Sequence, residues 1–173
     1  MPLVLILGCM FSGKTTELLR RVDKLTAIGK KVLLVHHSID TRVQQNYVKT
    51  HGGIQKVGKE YSSLEHIPYH KYDAVAIDEG QFFQDITTII PHLDSTLIIV
   101  SALNGTFDRK NFGKIHELLP HVDDLIFKTA YCAKCSTINT AMFSKRLTKN
   151  KNVLDVGASD KYAAVCRSCY QNY

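Results

Sequence analysis

The sequence predicts an α/β fold, a mostly parallel sheet flanked by helices, with a small cysteine-bearing module towards the C-terminus. Three observations carry this prediction. Short continuous apolar runs alternate with helical stretches, as expected of strands buried on both faces of a parallel sheet. The first such run passes straight through a glycine-rich loop into an amphipathic helix. Beyond about Lys128 the alternation stops, and four cysteines follow as two C-x2-C pairs. This divides the 173 residues into an α/β domain over 1–127 and a second module over 128–173.

The elements follow in order. Leu3-Val4-Leu5-Ile6-Leu7, ending at Gly8, reads as the first strand. A helix is expected from Thr15, with Leu18, Leu19, Val22, Leu25 and Ile28 on one stripe, Glu17 in the first turn and Gly29 placed to end it. Val32–Val35, Ala74–Ile77 and Leu97–Val100 supply three more buried strands, and Leu125–Phe127 reads as a fifth strand. The polar stretch 44–72, with glycines at 52, 53 and 58, shows no sustained period and reads as a mobile loop with room for one short element. Ile86–Leu93 and Phe112–Leu119 read as short helices, the second bounded by Pro120.

Charge and cysteine usage narrow the classes of function. The net charge is +6, yet residues 1–127 hold 14 Lys/Arg against 14 Asp/Glu, whereas residues 128–173 hold 8 against 2. The excess therefore lies in the cysteine module, which suits a nucleic acid, a phosphorylated small molecule or a merely solvated basic face. Leu3–Leu7 is far too short for a signal or membrane segment, so a cytoplasmic protein without a membrane partner is expected. Five cysteines, an odd number, argue against a disulfide scaffold.

Gly8-Cys9-Met10-Phe11-Ser12-Gly13-Lys14-Thr15 matches G-x-x-x-x-G-K-[ST], the P-loop. In that motif backbone N–H groups and a helix N-terminus hold phosphates, the lysine reaches the β/γ oxygens and the hydroxyl serves Mg2+. Its place between a strand and a helix makes the expected fold P-loop (RecA-like), with ATP and Mg2+ bound. Val75-Ala76-Ile77-Asp78-Glu79 sets two acids at the C-terminal edge of the sheet, where open α/β sheets bind ligands. Asp78 is expected on the metal side, and Glu79 as the base that accepts a proton from the attacking hydroxyl. The bland alternative is a pair of strand-end carboxylates that only balance Lys14.

Taken together, Met10-Phe11-Ser12-Gly13-Lys14-Thr15, Asp40-Thr41-Arg42, Asp78-Glu79-Gly80-Gln81-Phe82-Phe83, Leu103-Asn104-Gly105-Thr106-Phe107 and Lys161-Tyr162-x3-Cys166-x2-Cys169 resemble the type II thymidine kinases, the cytosolic cellular and poxvirus kind. The resemblance runs in order from Leu5 to about Tyr170. It implies phosphotransfer from ATP to the 5′-hydroxyl of thymidine, with Glu79 as base. It places Asp40, Thr41 and Arg42 by the ATP phosphates, with Gly80 and Gln81 also expected on the ATP and Mg2+ side. Phe107 and Tyr162 are implied nucleoside contacts, with Met10, Leu103 and Phe82 as apolar walls, although on sequence grounds alone ordinary core packing is the commoner explanation of such apolar residues. Departures are Asn104 for a usual aspartate, Cys9 for a frequent proline, and Ser144 for a common threonine. Ser144 is implied near the base, so deoxyuridine is an expected second substrate. The chain also lacks the terminal extensions of cellular members and resembles the compact viral form. A homotetramer and feedback inhibition by the deoxythymidine triphosphate end product are implied by resemblance alone.

Cys132-x2-Cys135, 30 residues, then Cys166-x2-Cys169 is the pattern of a closed, structural four-thiolate Zn2+ site. It pins the chain from Lys145 to Tyr162 at both ends. By resemblance this is a lasso whose Val153, Leu154, Asp155, Val156 and Gly157 meet the base largely through main-chain groups. Lys145, Arg146, Lys149 and Lys151 begin the lasso and read as solvated or phosphate-attracting; with only Phe143 nearby, a nucleic-acid partner is not expected. The competing reading is a RecA-like ATPase that binds single-stranded nucleic acid through a basic zinc ribbon. A catalytically silent nucleotide-binding subunit fits poorly with Lys14, Thr15, Asp78 and Glu79 all present.

Overall fold

The computed structural model describes residues 3–40, 46–50, 52–135, 138, 140–148 and 160–172. Strand β1 (Leu3–Gly8) is buried along its whole length and leads through the glycine loop into helix α1 (Lys14–Ala27). The helix stripe ends earlier than expected. Leu18, Leu19 and Val22 are buried and Leu25 packs partly, but Ile28 is the C-cap and is 71% exposed. Gly29, at φ 79°, closes the end: its N–H reaches Thr26 O at 2.9 Å and Lys30 N–H reaches Leu25 O at 3.0 Å.

Strand β2 (Val32–His37) runs two residues past its apolar stretch. The segment 44–72 departs from expectation. It holds a hairpin of β3 (Tyr47–Lys49) and β4 (Gln55–Val57), then β5 (Lys59–Tyr61), which pairs in parallel with β2. Three-residue strands are too short to show a period, and β5 is a largely exposed edge with no apolar run to betray it.

Strands β6 (Ala74–Ile77), β7 (Leu97–Leu103) and β8 (Asp124–Lys128) complete a six-stranded parallel sheet in the order β5-β2-β6-β7-β1-β8. On one face Leu3, Leu5, Val75, Ile77, Ile98 and Val100 pack under Phe83, Ile86, Ile89 and Leu118; on the other Val4, Ile6 and Leu34 pack under α1. The two stretches expected as short helices are 3-10 turns over Ile86–His92 and Ile115–His121. Pro91 and Pro120 lie inside them and remove backbone donors, so neither winds into an α-helix.

After β8, β9 (Ala130–Tyr131) pairs antiparallel with β10 (Thr140–Ala141), and β11 (Phe143–Arg146) with β12 (Tyr162–Val165), before the short α2 (Arg167–Gln171). Their core takes in the phosphate loop. Cys9 is buried with Cys132, Ala141, Ala163, Ala164 and Val165, and Phe11 packs at the edge. Among the described residues no helix is long and apolar enough to cross a membrane.

Candidate functional site

Parallel strands deliver their C-terminal ends to one edge, and the loop after β1 lies there. A Cβ on Gly8 would sit 2.3 Å from Lys128 O and 2.7 Å from Ser12 Oγ, so only glycine fits between β1 and β8 at this point. Ser12 Oγ donates to Cys9 O at 2.8 Å, and Lys14 Nζ donates to the same oxygen at 2.9 Å. The loop is also held from the second module, because Met10 N–H donates to Ser144 Oγ at 2.9 Å. Cys9 Sγ reaches Ala141 O at 3.4 Å, and burial pushes its thiol above the ordinary range against the opposing pull of Lys14. It is therefore a packing residue and not a nucleophile.

The two strand-end acids diverge. Asp78 continues the register of β6, with its N–H on Val35 O at 2.9 Å. Thr15 Oγ1 lies 3.2 Å from both of its carboxylate oxygens, and Ser101 Oγ donates to Oδ1 from the neighbouring strand. Glu79 turns away at φ 51°, in the left-handed region. Gln81 Nε2 donates to Glu79 Oε2 at 2.5 Å, while Leu103 N–H donates to Gln81 Oε1 at 3.0 Å. Gln81 is 1% exposed, so this clamp fixes the Glu79 carboxylate to the end of β7. Asp40 is buried beside the end of β2, its N–H on His37 O at 3.0 Å. Burial also pushes the His37 imidazole below its usual range, and Nδ1 accepts the Ile39 N–H at 3.0 Å.

Phe82 makes edge-to-face contacts with Phe112, centroids 5.9 Å apart, and with His37 at 6.3 Å. Phe107 presents its ring to the Arg146 guanidinium at 4.1 Å, and Arg146 donates to Tyr162 Oη through Nε at 3.2 Å and through Nη2. Reading Arg146 as a solvated cation is corrected here: it is 7% exposed and joins Phe107 to Tyr162. Asn104 N–H reaches Gly8 O at 3.3 Å and its Nδ2 reaches Met142 O at 3.2 Å, tying β7, β1 and the second module together.

The phosphate loop, Asp40, Asp78 to Phe82, Leu103, Phe107, Ser144 and Tyr162 thus converge on one edge. Thr41, Arg42 and Val153 to Gly157 lie outside the described residues. Sequence reasoning missed Ser101 and gave Arg146 the wrong setting. Ser101 had a signal, being the lone polar residue in the apolar β7 run Leu97–Leu103.

The four cysteines are gathered as the spacing requires. Sγ atoms of Cys132, Cys135, Cys166 and Cys169 lie within 4.8 Å of one another, close to the roughly 3.8 Å edges of a tetrahedron with Zn–S bonds of about 2.3 Å. Burial acts to raise the Cys132 thiol, but backbone hydrogen bonds from Cys135 and Cys166 outweigh it and bring it down to about 6. Burial and the neighbouring thiols push Cys169 up to about 12. The Cys132 thiolate forms readily while Cys169 resists a second negative charge beside it, a setting suited to a cation held among the four sulfurs.

A family model described as Thymidine kinase matches residues 1–170. The chain is similar to the thymidine kinase of Fowlpox virus, 41% identical over 95% of this chain and 94% of that protein. It is also similar to Thymidine kinase 1 of Dictyostelium discoideum, 38% identical over 96% of this chain and 76% of that one. The cytosolic thymidine kinase of Homo sapiens is 38% identical over 95% of this chain and 71% of its own length.

Proposed function

Because the chain belongs to the thymidine kinase family, we propose that it transfers the γ-phosphate of ATP to the 5′-hydroxyl of thymidine, giving the monophosphate used in nucleotide salvage for DNA synthesis. The observation that carries the mechanism is the divergence of two adjacent carboxylates. Asp78 faces the loop hydroxyl of Thr15, and Glu79 is swung through left-handed backbone and clamped by Gln81 beside Leu103.

In this reading the N–H groups of Gly8 to Thr15 cradle the ATP phosphates, and Lys14 leaves Cys9 O to meet the β/γ oxygens. Bound Mg2+ would neutralise charge on those oxygens, with Thr15 and Asp78 on its side of the site. Asp40, Thr41, Arg42 and Gly80 belong to the phosphate side, and Gln81 orients the base. Glu79 accepts the 5′-hydroxyl proton as O5′ bonds to the γ-phosphorus and the bond to the bridging β–γ oxygen breaks. Phe107, Tyr162, Met10, Leu103 and Phe82 surround the nucleoside, and Val153, Leu154, Asp155, Val156 and Gly157 meet the base through main-chain groups. Ser144 spends its hydroxyl on the Met10 amide and lacks a threonine's methyl, so deoxyuridine is accepted as well.

The four cysteines hold a structural Zn2+. The α/β part, 1–127, supplies phosphate binding and the base, and the module over 128–173 supplies the nucleoside cover. The protein acts in the cytoplasm as a homotetramer and is inhibited by deoxythymidine triphosphate. The nucleic-acid ATPase reading is disfavoured because Arg146 is buried against Phe107 and Tyr162.

The test is transfer of labelled phosphate from ATP with Mg2+ to thymidine, deoxyuridine, deoxycytidine and deoxyguanosine, with a single-stranded oligonucleotide as an ATPase control. Thymidine monophosphate is the expected product. ATP hydrolysis stimulated only by the oligonucleotide would overturn the assignment.

A further inference from the structure

The loop carrying Phe107 is closed on itself but not anchored by those internal bonds. Thr106 Oγ1 lies 2.6 Å from Asp108 Oδ1, Thr106 N–H donates to Lys110 O at 3.0 Å, and Lys110 N–H returns to Thr106 Oγ1 at 3.0 Å. Such bonds fix the shape of the loop without fixing where it sits. Its placement comes from the other end of the chain. Tyr170 Oη donates to the Phe107 carbonyl at 2.6 Å, across 63 residues of sequence.

Tyr170 is itself firmly held. Its ring lies between Arg109 and Lys145, each cationic group 4.6 Å from the centroid, and packs against Phe143 at 5.4 Å. Its N–H donates to Cys166 O at 2.9 Å, in the turn of helix that joins Cys166 to Cys169. A continuous path therefore runs from the cysteine centre through Tyr170 to the Phe107 main chain. From there the Phe107 ring meets Arg146 and Tyr162.

We infer that Tyr170 is a positioning residue for the nucleoside pocket: its phenol holds Phe107 at a fixed place relative to the cysteine centre, so it governs nucleoside affinity and not phosphoryl transfer. This rests on the proposed role of Phe107 as a nucleoside contact. Tyr170→Phe keeps the ring between its two cations and removes only the hydroxyl. The expected result is a rise in thymidine KM and calorimetric Kd of about five- to tenfold, the value of one ordinary hydrogen bond. The kcat, the ATP KM and the zinc content should stay within about twofold of the parent, as expected when only uniform binding is lost.

A double-variant cycle separates this role from general stabilisation. In a Phe107→Ala background, adding Tyr170→Phe should change thymidine affinity by less than twofold, because the bond acts through the ring that is already gone. Losses that multiply in the double variant, or an unchanged thymidine Kd in zinc-loaded Tyr170→Phe, would overturn the inference. Failure of the parent protein to bind thymidine would instead defeat the proposed function, before any variant is compared.

Discussion

Glu79 adopts a backbone conformation, φ 51°, that costs a residue with a side chain about 1–2 kcal/mol. The return is direction, since the carboxylate leaves the line of β6 and meets Gln81 while Asp78 keeps the register. Glu79→Gln should leave ATP and thymidine binding intact and lower kcat by ~10^2 or more, checked by steady-state kinetics beside binding titrations. Glu79→Gly should abolish turnover without lowering Tm, because glycine accepts the same conformation freely. His36 poses the opposite case: it is 4% exposed, and neither ring nitrogen has a hydrogen-bond partner among the described residues. Replacing an unsatisfied buried polar group with an apolar one relieves desolvation, so His36→Leu should hold or raise Tm in a thermal melt. At this scale the motif residues were legible because each motif prescribes a residue type for each task. Arg146 was not, because one letter in a basic run says nothing about the aromatic rings that fold around it.

Helix α1 carries a pH signature. Glu17 is held down to about 2, from 4.5, first by its hydrogen bond with Arg20 and then, against the effect of burial, by Arg21. A depressed carboxylate stabilises the fold above its unfolded value, and that contribution is lost as pH falls from about 4.5 towards 2. The Tm difference between the parent and Glu17→Gln should therefore be present at pH 7 and vanish near pH 2, as calorimetry would show. The same helix shows what sequence can carry. Leu18, Leu19 and Val22 recur at helical spacing and are buried, and β1, β2, β6 and β7 were visible because central strands need apolar runs of four or more. Strands β3, β4 and β5 left no such trace, since three residues at a sheet edge bury too little to constrain their composition. Pro120 was readable as punctuation but not as an interior residue of a 3-10 turn, and the break that Pro91 imposes within Ile86–Leu93 was missed.

At the scale of the whole molecule, the phosphate loop and the cysteine module share one core. Cys9 is buried with Cys132 and Val165, and Met10 N–H rests on Ser144. Stripping the proposed zinc with a strong chelator should therefore lower Tm and weaken both ATP and thymidine binding, in contrast to Tyr170→Phe, which is expected to affect thymidine alone. Titration with a fluorescent ATP analogue before and after chelation would show it. This shared core was not legible in the sequence, because Cys9 reads there only as a variable position of the loop. The central place of β1 has a further consequence. It is made well before the strands it pairs with, since β7 and β8 follow about 95 and 120 residues later. At translation rates of 5–20 residues per second, Leu3–Leu7 waits roughly 5–20 s with no sheet to join. Through that interval the apolar residues of β1 stay unpaired in the nascent chain, and the phosphate loop gains its strand framework only once β7 and β8 have been made.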